Sequence, residues 1–447
     1  MKQQLQSKKN NNHYFKLSGD ASLGSHTAER SGVSMYGRHE RQVPTNILIF
    51  LFLLLLPTQL GRHFFLPFSY ISGVRIDYLA PTLYVTDILA LFLIAVYFKN
   101  VLRFFYRKTF LLFLLLAAIN IAFALNSVLA LYKFLKIIEC IGIFVCIRSI
   151  GEHHDTPLRN ILIPLTIGAS GELILAVWQF ISKHSIQGIF YFFGERYITL
   201  SQPDIAKVSL FGVEILRPYA TFSHPNSLAG FYLLLYFFVL TNKQSQQSSP
   251  FILYTKYLLL FLSSALIFLS FSKIAILLFL LLNTLCLIRS KFYQHCLLCF
   301  VGRLGVLIVL TATVLLAKGD ALSMSKRIDL MGNSINIFLQ HPLLGVGLGN
   351  YLNAQQLFVM KYPYFFLQPV HNIFLLLLSE GGLLLTGFLT YVGIKLLTNQ
   401  KTIPYCLLVV VITGLFDHYW LTLQQNILLL PVIFGLLARY KTSFLIK

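Results

Sequence analysis

The chain has 447 residues, of which 56% are hydrophobic and 12% are charged, and its formal net charge is +20. A soluble domain cannot bury that much apolar surface, so the composition predicts a polytopic membrane protein. The basic residues are spread over many short loops, which is typical of topology control and unlike the continuous stripe that binds nucleic acid. We therefore expect membrane lipids and no nucleic acid as partners.

In chain order, residues 1–45 are polar and lack the apolar core of a signal peptide, which predicts a disordered cytoplasmic tail. Residues 46–440 are expected to form an all-α transmembrane domain of about 12 helices, since apolar runs of ~17–25 residues recur there. Residues 441–447 are expected to be a second cytoplasmic tail. The predicted spans are residues 46–66, 78–98, 109–125, 129–150, 160–182, 224–240, 253–270, 273–288, 296–317, 371–397, 403–420 and 421–439.

The distribution of Lys and Arg between the short connections places both termini in the cytoplasm. Two extracytoplasmic loops, residues 183–223 and 318–370, are longer than a connection requires, and loops of that length are usually functional or disordered. Their aromatic residues and turns favour order. Both loops, and the short turn ending at Lys273, carry basic side chains on the outer face against the charge rule, which indicates a functional use.

Two potential metal-ligand groups are interpreted as ordinary residues. Cys296 and Cys299 have metal-ligand spacing but no second pair nearby, so buried cysteines are the simpler interpretation. His153, His154 and Asp155 are expected on the cytoplasmic side, away from the other candidates.

The most informative segment runs from Arg217 to Asn226, just before an apolar run. Pro225 suits the first turn of a helix, and Ser223 or His224 is a candidate N-cap. A helix start offers free amides and a positive dipole end, and a guanidinium beside it makes a seat for phosphate or diphosphate. The alternative is an arginine that only anchors the helix at the interface.

Lys273 begins the eighth predicted span on the same outer face. A lone lysine there is usually an interfacial anchor, but in company with Arg217 it supplies a second cation. No Asp-x-Asp pair is expected on the outer side, and two fixed cations could stabilise a departing diphosphate without a metal. We therefore predict neither a metal nor a cofactor.

His371 opens the tenth predicted span. Imidazole is suited to accept a proton from a sugar hydroxyl, although a single interfacial histidine is often only amphipathic. An acid inside hydrocarbon is costly, so Glu380 needs a partner. At ~100° per residue Glu380 points away from His371, which predicts a bracing role, whereas Gly382 permits close packing.

In the second outer loop, Arg327 opens an amphipathic stretch, residues 328–339, expected along the membrane surface. Gly345, Gly347 and Gly349 are interpreted as shaping the backbone, because no strand or Gly-Lys-Ser/Thr pattern of a nucleotide loop surrounds them. Asp417-His418 is either an orienting pair or a polar cap.

These motifs together resemble the O-antigen ligase/O-antigen polymerase family of bacterial membrane glycosyltransferases. The resemblance covers roughly residues 215–390, and it is carried by the segment from Arg217 to Asn226, Lys273, Arg327 and the His371-Asn372 pair. It implies a GT-C-like fold in the bacterial inner membrane, with an active site on the extracytoplasmic face. One departure from the family is Lys273, at a position where the family usually has arginine. The ammonium group of lysine cannot bind two phosphate oxygens at once as a guanidinium does.

The resemblance also implies an inverting, metal-independent transfer of a glycan from a polyprenyl-diphosphate carrier to a glycan, lipid or protein acceptor. By position, Arg217 and Lys273 would hold the diphosphate and His371 would activate the acceptor hydroxyl. Further substrate contacts are expected from Arg327, Asn226, His224 and Asn372. The alternatives are a polymerase of the same family, a flippase or transporter of lipid-linked glycans, and an inactive scaffold.

Overall fold

The computed structural model describes residues 45–152, 159–202, 205–210, 212–242, 249–289, 305, 312, 321–358, 367–397 and 404–438. They belong to one compact unit, Thr45–Lys447. The predicted cytoplasmic tails, His153, His154 and Asp155, Cys296 and Cys299, and all but two residues of the predicted span 296–317 lie outside the described residues.

Helices dominate the described chain. They are α1 (Thr45–Leu55), α2 (Val85–Val96), α3 (Phe98–Phe105), α4 (Lys108–Ala122), α5 (Ser127–Glu152), α6 (Arg159–Ser182), α7 (Ile189–Phe192), α8 (Pro225–Thr241), α9 (Pro250–Leu269), α10 (Lys273–Arg289), α11 (Ala321–Gln340), α12 (Tyr351–Gln355), α13 (Ile373–Leu397), α14 (Pro404–Gly414), α15 (Tyr419–Thr422) and α16 (Gln424–Ala438).

Three described helices are long and apolar enough to cross a membrane: α6, α9 and the Ile373–Lys395 part of α13. The pair α2 and α3, bent by 85°, makes a fourth if it is one span. Six further apolar helices of the described chain are shorter, among them α8, α10 and α16. A mostly helical membrane protein is therefore confirmed, while the number of twelve spans stays a prediction.

The predicted helical fold is confirmed for most of the described chain, and three small antiparallel hairpins are present in addition to the helices. Strand β1 (Gly61–His63) pairs with β4 (Thr82–Tyr84), β2 (Tyr70–Ile71) with β3 (Val74–Arg75), and β5 (Lys207–Leu210) with β6 (Val213–Leu216). The first pairing shortens the predicted spans 46–66 and 78–98. An apolar segment beside a helix cannot be assigned to helix or strand by hydrophobicity alone.

Helix α8 forms the centre of the packing. Thirteen of its seventeen residues are buried, with apolar side chains on every face. It packs against α9, α14, α16 and α10. A helix that is apolar all round is buried by its neighbours, and this one carries the predicted site residues at its N-terminal end.

The loop that leads into α8 is held by two polar side chains from α6. Gln179 Oε1 accepts hydrogen bonds from the backbone N–H groups of Tyr219 (3.0 Å) and Ala220 (2.7 Å), and Glu172 Oε2 accepts from that of Thr221 (3.1 Å). Ala220 has a positive φ of 51°, which is uncommon for a residue with a side chain. Irregular backbone buried among membrane helices needs such partners, so α6 fixes the approach to the site.

Helix α13 is broken at Gly382, whose φ is 61° and ψ is −169°. The outer loop supplies the backbone partners that the break requires: Val346 N donates to Ser379 O (2.9 Å), and Leu383 N donates to Pro342 O (2.9 Å). The close packing expected at Gly382 is confirmed, since a Cβ there would meet the Leu343 carbonyl. The loop and the broken helix therefore form one hydrogen-bonded unit.

The glycine-spaced loop shapes the backbone as predicted. Gly345, Gly347 and Gly349 have φ values of 67°, 93° and 77°, a region that residues with a Cβ rarely adopt. Glu380 braces this loop: its Oε1 accepts a hydrogen bond from Tyr351 N at 3.3 Å, at the first residue of α12. The expected bracing role is thus present, although the braced helix is a short one in the outer loop.

A substitution pair in α13 tests this unit. We expect Gly382→Ala to destabilise the protein by about 2 kcal/mol or more, because it forces a Cβ into a positive-φ position against the loop carbonyl. Gly387→Ala, in the same helix with no atom close to the added Cβ, is the matched control. Thermal unfolding of the detergent-solubilised variants measures the difference. Equal melting temperatures would contradict the close packing of the outer loop against the break in α13.

Candidate functional site

A buried carboxylate lies at the centre of the candidate site. Asp417 follows α14, and its Oδ2 accepts a hydrogen bond from Asn226 Nδ2 at 2.9 Å. Its Oδ1 accepts from His418 N at 2.8 Å and lies 3.4 Å from His371 Nδ1. Asp417 thereby brings the start of α8 and His371, in the segment before α13, together, although Asn226 and His371 are about 150 positions apart in the chain.

Arg217 is linked to the same carboxylate through Asn226. Its Nη2 donates to Asn226 Oδ1 at 2.6 Å, and its Nε donates to the backbone oxygen of Ser270 at 2.8 Å. Burial lowers the pKa of Arg217 to about 10, so the guanidinium remains charged at neutral pH. The result is a fixed cation at the entrance of α8, with Nη1 unbonded to any residue that the structure describes.

A second guanidinium joins the cluster from α11. Arg327 Nη1 donates to the backbone oxygen of Phe416, the residue before Asp417, at 3.1 Å. Its charge contributes to lowering the pKa of Arg217, after the larger effect of burial, so the two cations are near each other. The expected helix at residues 328–339 is confirmed as part of α11, and Arg327 is the residue by which it reaches the site.

His224 and Asn372 are N-caps. His224 Nδ1 accepts a hydrogen bond from Asn226 N at 3.1 Å, which confirms His224 as the cap of α8 with Pro225 in the first turn. Asn372 Oδ1 accepts from Phe374 N at 2.9 Å, and its Nδ2 donates to Leu415 O at 3.2 Å. These bonds fix the loops that carry Asn226 and His371.

His371 lies two residues before α13, so the prediction that it begins the helix is displaced by two positions. Its ring is 5.0 Å from the ring of His418, measured between centroids. Nδ1 is buried and makes no hydrogen bond within the described part of the chain, so its contact with Asp417 at 3.4 Å is electrostatic. That contact orients Nδ1 towards the carboxylate and leaves Nε2 for a ligand.

His418 fills the space behind His371. Its Nδ1 is 2.7 Å from Thr422 Oγ1, and its ring lies edge-on to Tyr78 at 5.6 Å between centroids. Burial lowers the pKa of both His418 and His224 to about 3, so both are neutral at physiological pH. They contribute shape and hydrogen bonding to the site and carry no charge.

Asp417 is ionised in this environment. Burial by itself raises the pKa of its carboxyl group, but the interaction with His371 is the largest of the effects that lower it. The pKa of Asp417 consequently lies well below its usual value. The sequence suggested Asp417-His418 only as an orienting pair or a polar cap. The feature that could have indicated a central role for Asp417 is an acidic residue at the outer end of an apolar run.

Lys273 stands apart from these contacts. It is the first residue of α10, its side chain is exposed, and the structure shows no contact between it and the other site residues. It follows Ser270, whose carbonyl holds Arg217, by three positions. The turn between them is constrained, since Phe271 has a positive φ of 51°. Lys273 is thus near the cluster in the chain but is not fixed within it.

Three of the clustered residues have metal-ligating atoms. In the described part of the chain, His371, Asp417 and His418 place one such atom each within 4.8 Å of one another. Nδ1 of His418 already contacts Thr422, and His371 Nδ1 faces the carboxylate at ion-pair distance. The absence of a metal, expected from the sequence, remains a prediction that a chelator experiment can decide.

The fold and the site define a helical membrane protein with a cationic, histidine-bearing polar cluster at the helix ends. Residues 258–391 match the family described as O-Antigen ligase. This domain supports membership of the O-antigen ligase/polymerase family, which the motifs indicated. The matched segment contains Lys273, Arg327 and His371, whereas Arg217 and Asp417 lie outside it. A search of curated proteins found no match.

The buried histidines predict a pH-dependent stability. Unfolded histidine titrates near ~6.5, above the folded pKa of about 3 for His224 and His418, so the unfolded state binds more protons between these values. Stability should be complete above this range and should decrease as the pH falls through it. We expect the melting temperature to fall from about pH 7 to about pH 4.5.

The matched variants are His418→Gln, which should reduce this fall, and His341→Gln, at an exposed histidine, which should leave it unchanged. Thermal unfolding of both variants across the pH series is the measurement. An identical slope in His418→Gln and the parent protein would contradict the assignment of His418 as a buried neutral group.

Proposed function

We propose that this protein is a membrane glycosyltransferase of the O-antigen ligase type. It transfers a glycan from a polyprenyl-diphosphate carrier to an acceptor hydroxyl, with inversion and without a metal, at the extracytoplasmic face of the bacterial inner membrane. The observation that carries the proposal is the contact of one carboxylate, Asp417, with both His371 and the Asn226 that holds Arg217. A base and an anion seat are thereby held in one cluster.

The donor diphosphate would bind at the entrance of α8. Arg217 is anchored by two hydrogen bonds and keeps Nη1 for a phosphate oxygen, and Arg327 adds a second positive charge. The first turn of α8 contributes only the positive end of its dipole, because Pro225 lacks an N–H and the amides of the next residues already donate to His224. Lys273, exposed at the start of α10, is proposed as a mobile third cation that reaches the ligand. Charges placed in advance stabilise a leaving diphosphate without reorganisation.

His371 would act as the general base. Its Nδ1 faces the ionised Asp417, so the neutral imidazole carries its proton on Nδ1 and presents Nε2 to the acceptor. The acceptor oxygen attacks the anomeric carbon, its proton passes to Nε2, and the bond from the anomeric carbon to the diphosphate oxygen breaks. Asp417 stabilises the imidazolium that results, as an orienting carboxylate does beside a catalytic histidine.

We expect His371→Ala and Arg217→Ala each to lower the rate of glycan transfer by about a hundredfold or more, the scale typical of losing a general base or a fixed electrostatic donor. The measurement is transfer by purified protein from a polyprenyl-diphosphate glycan in vesicles. His341→Ala, which changes an exposed histidine, should retain the rate. Undiminished transfer by His371→Ala would remove the base assignment.

The same assay includes a chelator arm. Transfer should persist in excess EDTA, because the guanidinium groups supply the positive charge at the diphosphate. Loss of transfer in EDTA and its recovery with a divalent cation would instead assign His371, Asp417 and His418 as metal ligands.

A further inference from the structure

A cavity of about 640 Å³ lies beside the cluster of Asp417 and His371. It is bounded by α5, α13, α16 and the hairpin segments between α1 and α2, and none of the clustered site residues lines it. It is therefore a second space next to the proposed transfer centre, lined by a different set of residues.

The cavity and the site share a wall. Tyr78 lines the cavity and packs on His418, whose ring in turn packs on His371. Ser223 also lines it and is adjacent in the chain to His224. A ligand in the cavity would consequently be separated from the base by two side chains, Tyr78 and His418. The part of an acceptor that extends beyond its reacting hydroxyl requires a space next to the base.

The inner part of the cavity is charged. Lys133 and Lys136 of α5 line it, and Lys136 forms ion pairs with Asp87 and with Glu139, the latter at 3.4 Å. Glu380 also lines the cavity. Charged groups are costly beside hydrocarbon, so this interior is unsuitable for a polyprenyl chain and suits a hydrated ligand.

The walls also suit a saccharide. A pyranose has apolar C–H faces, which pack on aromatic rings, and hydroxyl groups around its edge, which need polar partners. Aromatic side chains line much of the cavity: Tyr78, Tyr84, Tyr132, Tyr191, Tyr197 and Trp420. Both polar and aromatic side chains therefore line this one space, as recognition of a sugar requires.

Arg196 gives the cavity an unneutralised positive charge. Its Nη1 donates to Ser223 O at 3.1 Å, and no carboxylate of the described residues pairs with it. The neighbouring Glu195 faces inward, where it accepts hydrogen bonds from Gln179 Nε2 (2.7 Å) and Ile186 N (2.8 Å). By contrast, Arg75 at the same cavity has Asp77 at 3.6 Å.

We propose that this cavity binds the acceptor glycan and selects one that carries an anionic group, which Arg196 contacts. The inference rests on the proposed transfer function and adds the substrate class to it. A guanidinium fork binds carboxylate and phosphate alike, so both a uronic acid and a sugar phosphate satisfy the chemistry. The anionic group would lie at Arg196 while the reacting hydroxyl lies at His371.

The test is binding of soluble oligosaccharides to the full-length protein in nanodiscs, measured by calorimetry at low ionic strength. Three probes of equal length are compared: a neutral maltooligosaccharide, its C6-oxidised uronate form and its phosphorylated form. We expect at least one acidic probe to bind about tenfold more tightly than the neutral one, the scale of a charge-assisted hydrogen bond. Which acidic probe binds better identifies the anionic group.

Arg196→Gln should abolish the advantage of the acidic probe while leaving the neutral probe unchanged. Arg62→Gln is the matched control, because Arg62 is an exposed arginine in the neighbouring hairpin and does not line the cavity. Melting temperatures of both variants confirm that each is folded. Equal binding of acidic and neutral probes, or an advantage that survives in Arg196→Gln, would overturn the proposal.

The transfer assay separates the two claims. If transfer depends on His371 but the acidic preference is absent, the acceptor inference fails and the proposed function stands. If the preference depends on Arg196 but no transfer depends on His371, the proposed function fails, and the cavity remains an anionic-saccharide site.

Discussion

In the candidate site, two side chains from distant parts of the chain, Asn226 and His371, converge on the Asp417 carboxylate. Asn226 donates to one oxygen, while His418 N and His371 contact the other. A buried charge is stable only when it is paired and hydrogen bonded, so the carboxylate requires these partners as much as it positions them. The proposed anion site at Arg217 and the proposed base at His371 therefore depend on the same buried carboxylate.

The same constraint governs the surrounding backbone. Irregular segments at the ends of membrane helices need polar partners, and the two described segments that border the site have them. Gln179 and Glu172 hold the loop before α8, and the outer loop and broken helix α13 complete each other's hydrogen bonds. The site is therefore supported from two sides by polar groups that are buried within an apolar bundle.

Sequence reasoning found the residues whose chemistry is unusual for their surroundings. Arg217, His371 and Arg327 are polar groups in apolar or interfacial context, and the structure brings all three to one cluster. The cap at His224 and the three positive-φ glycines followed from local rules that depend on a few neighbouring residues.

What the sequence did not reveal depends on contacts between distant segments. From the sequence, Asp417 was equally suited to be a helix cap. Its partners Asn226 and His371 lie 191 and 46 residues earlier in the chain, so no local pattern connects them with it. The strand pairing of Gly61–His63 with Thr82–Tyr84 was hidden inside apolar segments that extend predicted helices. Lys273 was expected at the centre by its position in the chain, whereas its side chain is exposed.

The most direct test of the account is the transfer rate of Asp417→Asn, with Asp329→Asn, at an exposed position of α11, as the control. The amide keeps the volume of the carboxylate but removes the charge that orients and stabilises His371. The account predicts a loss of about a hundredfold or more in transfer, because neutralising an orienting carboxylate removes the charge that fixes the tautomer of the histidine, with the rate of Asp329→Asn unchanged. Transfer by Asp417→Asn at the parental rate would contradict it.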